Sequence, residues 1–148
     1  LPFHAHSGES LMSEVKQKPV PRPAPESAPY WAAAREKRLS LPKCEDCGER
    51  WFPPSRTCPH CLSGKVTFSD VSGRGKVYSF VTFHRVYHPA FEGETPYVVA
   101  LIELEEGPRL LSNVIGLPPE DVRCEMPVEV VFEDVGDATI PKFRPRQA

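Results

Sequence analysis

The stretch CEDCGERWFPPSRTCPHC, residues 44–61, holds four of the five cysteines and decides how the rest of the chain is interpreted. The cysteines form two pairs, each enclosing two residues: Cys44 with Cys47, and Cys58 with Cys61. This spacing lets both thiolates of a pair point at one centre from a tight turn, and two such turns supply four tetrahedral metal ligands. Gly48 and Gly64 follow the pairs and suit the tight backbone after each turn.

Other roles for these cysteines are weaker. A disulfide across a two-residue gap is strained and needs an oxidising compartment, and a thioredoxin-like pair needs a different strand–helix context. Zinc and rubredoxin-type iron both fit, and zinc is favoured because the sequence shows no second redox element. Four thiolates leave zinc no open position, so we predict one structural zinc per chain that holds residues 49–57 as a rigid loop.

Side chains near the predicted metal site have several interpretations. Trp51 and Phe52 either pack against the rest of the domain or form a surface for a partner or ligand. His60 is expected to face outward, because the four-cysteine set is already complete. Cys124 is predicted to be a small buried or half-buried thiol, since no base that could activate it is evident.

After the cysteines, short runs rich in Val, Ile, Phe and Tyr alternate with Gly, Pro or acidic turns, which is typical of strands. Five such runs are predicted: 66–71, 76–83, 97–104, 109–116 and 128–134. Five strands without long intervening helices favour a small Greek-key barrel, of which the OB-fold is the commonest, with a small sandwich as the alternative. The fold class is therefore predicted to be mainly β.

The first 43 residues are expected to form a tail and one helix. Residues 1–26, with alternating prolines, are predicted to be an extended tail or linker, part of it vector sequence before Met12 or a piece of a larger polypeptide. In that case His4 and His6 are terminal residues rather than ligands. Residues 27–43 are predicted to hold the helix, with Ser27 as N-cap and an end before Pro42. The metal site then covers 44–65, and the barrel 66–148.

The segment FHRVYHPAFEGETPY, residues 83–97, is long for a connection between two strands and rich in aromatic residues. It either folds on its own aromatic side chains or faces a ligand or partner. The candidate ligand- or partner-facing residues in this segment are His84, Arg85, Tyr87 and His88. An arginine there would suit phosphate.

Charge and hydropathy narrow the function classes. The net charge is −2, from 18 basic and 20 acidic residues, which argues against a protein dedicated to nucleic acid. No apolar run reaches the length of a membrane span and no secretory signal pattern is evident, so a cytoplasmic location is expected. No Ser-His-Asp set or phosphate-binding glycine loop is present, and no catalytic residue is predicted.

Several phrases in fixed order resemble the domain of unknown function thirty-five family. They are the cysteine pairs with WFPP between them, SGRGKVYSFVTFHRVYHPAF, PYVVALIELEEG, MPVEVVFED and PKFRP. The resemblance covers about residues 27–146. It implies an N-terminal helix, a rubredoxin-like zinc ribbon whose ligands match Cys44, Cys47, Cys58 and Cys61, and a C-terminal OB-fold.

The resemblance also implies a role. Members of this family bind thiolase-superfamily proteins as accessory subunits in acyl-CoA metabolism. Some form the C-terminal half of a hydratase-like protein and support retro-aldol cleavage of steroid side-chain acyl-CoA esters with release of propionyl-CoA. We therefore expect a thiolase-like partner in a two-plus-two heterotetramer, with acyl-CoA at or near the interface. The alternatives are a nucleic-acid-binding zinc-ribbon and OB-fold module, which the net charge disfavours, and a rubredoxin-like electron carrier.

Overall fold

A computed structural model describes residues 17–147, so the predicted start at Met12 and the residues His4 and His6 lie outside the described part. Within it the chain forms one α-helix, two short 3₁₀ helices and seven β-strands. The elements are α1 (Ala28–Arg35), β1 (Ser40–Cys44), β2 (Val66–Asp70), β3 (Arg74–Phe83), a 3₁₀ helix (Pro89–Phe91), β4 (Tyr97–Leu104), β5 (Arg109–Val114), a 3₁₀ helix (Pro119–Asp121), β6 (Pro127–Val135) and β7 (Ala138–Pro145). The predicted mainly-β class with one helix and a five-stranded barrel is confirmed.

Helix α1 is shorter than the sequence predicts. Ser27 occupies the N-cap position and Pro29 lies in the first turn, as expected, but the Ser27 hydroxyl bonds the backbone of Ala24 and makes no hydrogen bond to an N–H of the helix. The helix ends at Arg35, because Lys37 adopts a left-handed conformation with φ of 62° that stops the helical ladder. Pro42 therefore lies inside β1, not just beyond a helix.

Strands β1 and β2 form a separate two-stranded antiparallel sheet, and the cysteine segment lies between them. Cys44, the last residue of β1, pairs with Val66, the first residue of β2. The run 66–71 was expected to be a barrel strand. It instead completes the sheet at the base of the metal-binding turns, because its pairing partner is the strand that precedes the first cysteine.

The closed barrel has the strand order β3-β4-β5-β7-β6. Its fifth strand is β7, which the strand pattern missed because Pro141 and Pro145 break the usual signature of a strand. Every pairing is antiparallel except β5 with β7, which meet in parallel at Val114 and Phe143. Phe143, Ile102 and Val77 are fully buried in the interior.

The proline-rich segment that precedes the helix lies against the barrel in its described part. The Lys18 ammonium is 2.7 Å from a Glu94 carboxylate oxygen and lies over the Phe91 ring at 5.5 Å. This part of the predicted tail therefore contacts the long loop before β4. Among residues 17–147, no helix has the length and apolar character needed to cross a membrane.

Candidate functional site

The four cysteines of residues 44–61 converge on one point, with all four sulfur atoms within 4.8 Å of one another. The Sγ atoms of Cys44 and Cys61 are 3.5 Å apart, and those of Cys47 and Cys58 are 3.6 Å apart. Tetrahedral zinc with Zn–S bonds near 2.3 Å requires sulfur–sulfur separations of about 3.8 Å. The cluster therefore has the size of a single four-thiolate metal site.

Two similar turns bring the sulfurs together. In the first, the Gly48 N–H donates to the Cys44 carbonyl, and in the second the Leu62 N–H donates to the Cys58 carbonyl, both at 2.9 Å. Gly48 and Leu62 occupy the same place in their turns and both have positive φ, 77° and 65°. Gly48 thus has the predicted role, whereas Leu62, not Gly64, takes the left-handed position of the second turn.

Backbone N–H groups point at two sulfur atoms of this cluster. The N–H of Cys47 points at the Cys44 sulfur at 3.5 Å, and the N–H of His60 points at the Cys58 sulfur at 3.3 Å. The Cys47 N–H is the main cause that lowers the pKa of Cys44 to about 7.

In the same cluster, the backbone N–H of Glu49 lowers the pKa of Cys47 and that of Ser63 lowers the pKa of Cys61, but burial and hydrogen bonds with neighbouring thiols outweigh these effects. They raise the pKa of Cys47 to about 12 and also raise that of Cys61. Metal binding must therefore displace protons from these thiols, because the thiolate is the form that binds metal.

The metal site and Trp51 form the small core of the ribbon. Cys44 and Cys58 are fully buried and pack with Trp51, whose indole N–H donates to the Ser55 hydroxyl at 3.0 Å. Phe52 turns the other way, against the barrel core, with its ring 5.4 Å from that of Tyr30. Both side chains therefore have packing roles, one in each core.

Trp51 and Phe52 also line an open cleft between the ribbon and the β4–β5 turn. Its volume is about 420 Å³, and Arg50, His60 and Arg109 contribute to its walls. His60 is exposed and lies outside the four-sulfur group, in agreement with the prediction.

The residues of the long loop fold largely on one another. The Phe83 ring stacks on Tyr97 at 5.3 Å and meets Tyr87 edge-on at 5.9 Å. His88 accepts a hydrogen bond at Nδ1 from the Ala90 N–H and so begins the 3₁₀ helix. Much of the loop therefore folds on its own aromatic side chains, which is one of the two interpretations given above.

Three loop candidates remain accessible. His84, Arg85 and Tyr87 are exposed, and Tyr87 keeps 71% of its surface accessible. The Arg85 guanidinium lies 5.8 Å from the Tyr87 ring, so the two side chains form a single exposed feature.

A second cleft, of about 370 Å³, opens at the end of the barrel beneath this loop. Sequence patterns did not indicate it, because its walls come from parts that are distant in sequence: the proline-rich segment, the loop, four strands and the segment 115–119. Its polar lining includes Lys18, Asn113 and Lys142, and its apolar lining includes Phe91 and Tyr97. The four loop candidates, His84, Arg85, Tyr87 and His88, do not line it.

Cys124 departs from its prediction. It was expected to be buried or half-buried, but it is exposed. It lies in the turn before β6, next to Glu125, whose φ of 69° bends the backbone and leaves the thiol on the outside.

Comparison with known families matches both parts of this architecture. Residues 31–67 match the family model described as ChsH2, rubredoxin-like zinc ribbon domain, and residues 69–133 match the model described as ChsH2, C-terminal OB-fold domain. Together with the four-sulfur geometry, the first match identifies zinc as the metal of the ribbon. The predicted structural zinc is confirmed.

Curated relatives are similar over most of this chain. A probable enoyl-CoA hydratase alpha subunit of Thermomonospora curvata is 40% identical to this chain. The alignment covers 89% of this chain but only 43% of the relative, so this chain spans less than half of that relative's length. A DUF35 domain-containing scaffold protein of Methanocaldococcus jannaschii is 42% identical over 70% of this chain and 78% of the relative. The benzoylsuccinyl-CoA thiolase subunit BbsA of Thauera aromatica is 31% identical over 85% of this chain and 90% of the relative.

A solved structure agrees with these relatives. A chain of the Ltp2-ChsH2(DUF35) aldolase superimposes with a TM-score of 0.78 at 38% identity, covering 85% of this chain and 98% of that one. The superposition includes both the ribbon and the barrel, and the 38% sequence identity indicates a relationship closer than a shared fold. The chain therefore belongs to the DUF35 family, in which a rubredoxin-like zinc ribbon precedes an OB-fold domain.

Proposed function

We propose that this chain is an accessory component that binds a thiolase-superfamily catalytic partner and supports acyl-CoA carbon–carbon bond cleavage or formation. The observation that carries the proposal is the combination of a closed structural zinc site with the relationship to BbsA and to the Ltp2-ChsH2(DUF35) aldolase, both named as enzyme components. The catalytic residues belong to the partner. This chain stabilises the partner and helps to form the channel that binds the acyl-CoA.

The described side chains support a non-catalytic role. Four thiolates fill the coordination of zinc, so the metal has no position at which to activate water or a carbonyl. Within residues 17–147, no hydrogen bond joins a cysteine thiol or a hydroxyl group to a histidine ring, and the His88 ring accepts from the backbone instead. A nucleophile activated by a neighbouring base would need such a contact.

The finer assignment is retro-aldol cleavage of a steroid side-chain acyl-CoA with release of propionyl-CoA. The aldolase name of the matched structure supports a retro-aldol reaction, and the hydratase name of the Thermomonospora relative supports an acyl-CoA substrate. We further propose a two-plus-two complex in the cytoplasm, with the acyl-CoA at or near the interface. The exposed Arg85 and His84, together with Trp51 and Phe52 at the ribbon–barrel cleft, are the proposed ligand- or partner-facing residues.

Co-expression tests this proposal. The chain is produced together with candidate thiolase-superfamily proteins, any complex is purified, and its mass is measured by light scattering. Turnover is then followed on a panel of acyl-CoA esters, including steroid side-chain esters, with propionyl-CoA as the product monitored. We expect a stable complex and carbon–carbon bond cleavage only when both chains are present. Substantial acyl-CoA turnover by this chain alone would refute the accessory role.

A further inference from the structure

The two sides of the barrel's outer surface differ in how their apolar residues are arranged. On β6 and β7 the outward side chains include two ion pairs, Glu129 with Arg144 at 3.0 Å and Glu133 with Lys142 at 2.6 Å, with Val131 and Ile140 beside them. On β3, β4 and β5 the outward side chains are instead mostly apolar. We call the following set the apolar face: Tyr78, Val81, Val99, Leu101 and Leu111.

Strand register makes the apolar face continuous. Val81 lies opposite Val99 on the β3–β4 ladder, and Leu101 lies opposite Leu111 on the β4–β5 ladder. Leu111 keeps 68% of its surface accessible and Val81 keeps 57%. Single exposed apolar residues are ordinary on protein surfaces, but a contiguous patch across three strands marks an interaction site.

The sequence of β4 indicates that this face is covered by something other than residues 17–147. Its residues YVVALIEL are apolar at every position except Glu103, a pattern typical of strands that are buried on both faces. Only the inward residues, such as Ala100 and Ile102, are fully buried within the chain. The outward Val99 and Leu101 are only partly buried.

The borders of the face indicate the chemistry of what covers it. At one end, Glu103 is 2.8 Å from Arg109 and 3.7 Å from Lys76, so the charges there neutralise one another. At the other end, β3 leads into Arg85, which is exposed and forms no ion pair with residues 17–147. A matching surface is therefore apolar, with a carboxylate at the end that meets Arg85.

We propose that the apolar face is the surface on which the thiolase-superfamily partner docks, with an apolar patch of the partner against Leu111 and Val81 and an acidic residue against Arg85. This inference rests on the function proposed above. A specific interface needs about 800 Å² from each partner, more than five side chains expose, so the neighbouring long loop supplies part of the rim.

The test uses the full chain and the thiolase-superfamily protein that co-purifies with it. Dissociation constants are measured by calorimetry for the wild type, for Leu111→Glu and Val81→Glu on the apolar face, and for Val131→Glu as a matched control. Val131 is a partly buried β-strand valine on the ion-paired outer face, opposite Lys142. Zinc content and thermal melting of each variant establish that the fold is intact.

We expect Leu111→Glu and Val81→Glu to weaken binding at least about tenfold, since buried interface anchors are worth more than 1.4 kcal/mol each, and Val131→Glu to bind like the wild type. If both face variants bind the partner as tightly as the wild type does, the apolar face is not the docking surface. The proposal that the chain binds a thiolase-superfamily partner would then still stand. The assignment would also be overturned if the wild type alone were a dimer that Leu111→Glu dissociates without loss of partner binding. A wild type that binds no thiolase-superfamily protein would overturn both proposals.

Discussion

At Gly75, strands β3 and β4 lie so close together that there is no room for a side chain. An added Cβ there would lie 2.4 Å from the carbonyl oxygen of Glu103 and 3.1 Å from the Cα of Leu104. Both obstructing atoms belong to the backbone of β4, so they cannot move aside as a flexible side chain could. The last glycine of SGRG, residues 72–75, is thus required for close contact between two strands.

Gly75→Ala is expected to destabilise the protein by about 1–3 kcal/mol, because it overpacks a rigid contact. Gly64→Ala is the matched control, since an added Cβ at Gly64 meets nothing within 4 Å and its φ is not positive. That substitution should be neutral or stabilise the fold by up to about 1 kcal/mol. Urea unfolding of the zinc-loaded variants measures both effects, and equal stabilities would contradict the close-contact explanation.

Among the elements, the ribbon depends most on its metal. Its buried core consists of Cys44, Trp51 and Cys58, with Val66 packed beside them. Such a core is too small to offset the entropy of ordering the two turns, so zinc binding supplies much of the folding free energy of this part.

Cys44→Ser is therefore expected to lose zinc and to unfold the ribbon. Hydrogen exchange should show lost protection of β1 and β2, together with loss of partner binding. Cys124→Ser is the control, because Cys124 is exposed and outside the sulfur cluster. It should keep one zinc per chain. A Cys44→Ser protein that retains zinc and activates its partner normally would contradict the structural role of the ribbon.

The elements also show which parts of the fold could be predicted from sequence. The metal ligands were predictable because the four cysteines lie close together in the chain. The two-residue spacing within each pair already places both thiolates on one metal ion. Strand β7 was not predictable, because Pro141 and Pro145 are unusual in a strand. Its pairing with β6 becomes visible only in the structure. Assignment of 66–71 to the barrel failed for a related reason, since periodicity identifies a strand but not its partner.

The same distinction applies to the candidate sites. The segment 83–97 was recognised as unusual, but whether an aromatic side chain of a loop packs inward depends on contacts that the sequence does not specify. The apolar face could not be predicted at all, because it exists only once the register places Val81 opposite Val99 and Leu101 opposite Leu111. Surfaces made by non-local pairing require the structure.

In the molecule as a whole, Tyr30 connects the helix, ribbon and barrel. Its ring is buried in the main core with Leu41 and the barrel residues, and it contacts Trp31 at 5.0 Å and Phe52 at 5.4 Å. Burial raises the pKa of its hydroxyl to about 12, so the side chain stays neutral across the physiological range. Side chains from all three parts therefore meet in the main core, while the metal site keeps its own small core.

Tyr30→Ala should destabilise the whole molecule by about 3–5 kcal/mol, since it removes a large aromatic side chain from a shared core. The wild type should melt in one transition, and the variant should melt at lower temperature. Tyr87→Ala is the control, because Tyr87 is exposed at the loop, and it should change stability by less than about 0.5 kcal/mol. Calorimetry distinguishes these outcomes, and equal melting temperatures for the two variants would show that the ribbon and barrel do not share a core.

The single parallel contact between β5 and β7 bears on how the barrel assembles. Strands β3, β4 and β5 form a meander from neighbouring sequence, and β6 and β7 form a hairpin, so each piece needs only short-range loop closure. The two pieces join along β3–β6 and at Val114 with Phe143, contacts between residues far apart in the chain. We therefore expect that docking of these two pieces, the step with high contact order, limits the folding rate, and that the β5–β7 junction opens before the longer antiparallel ladders.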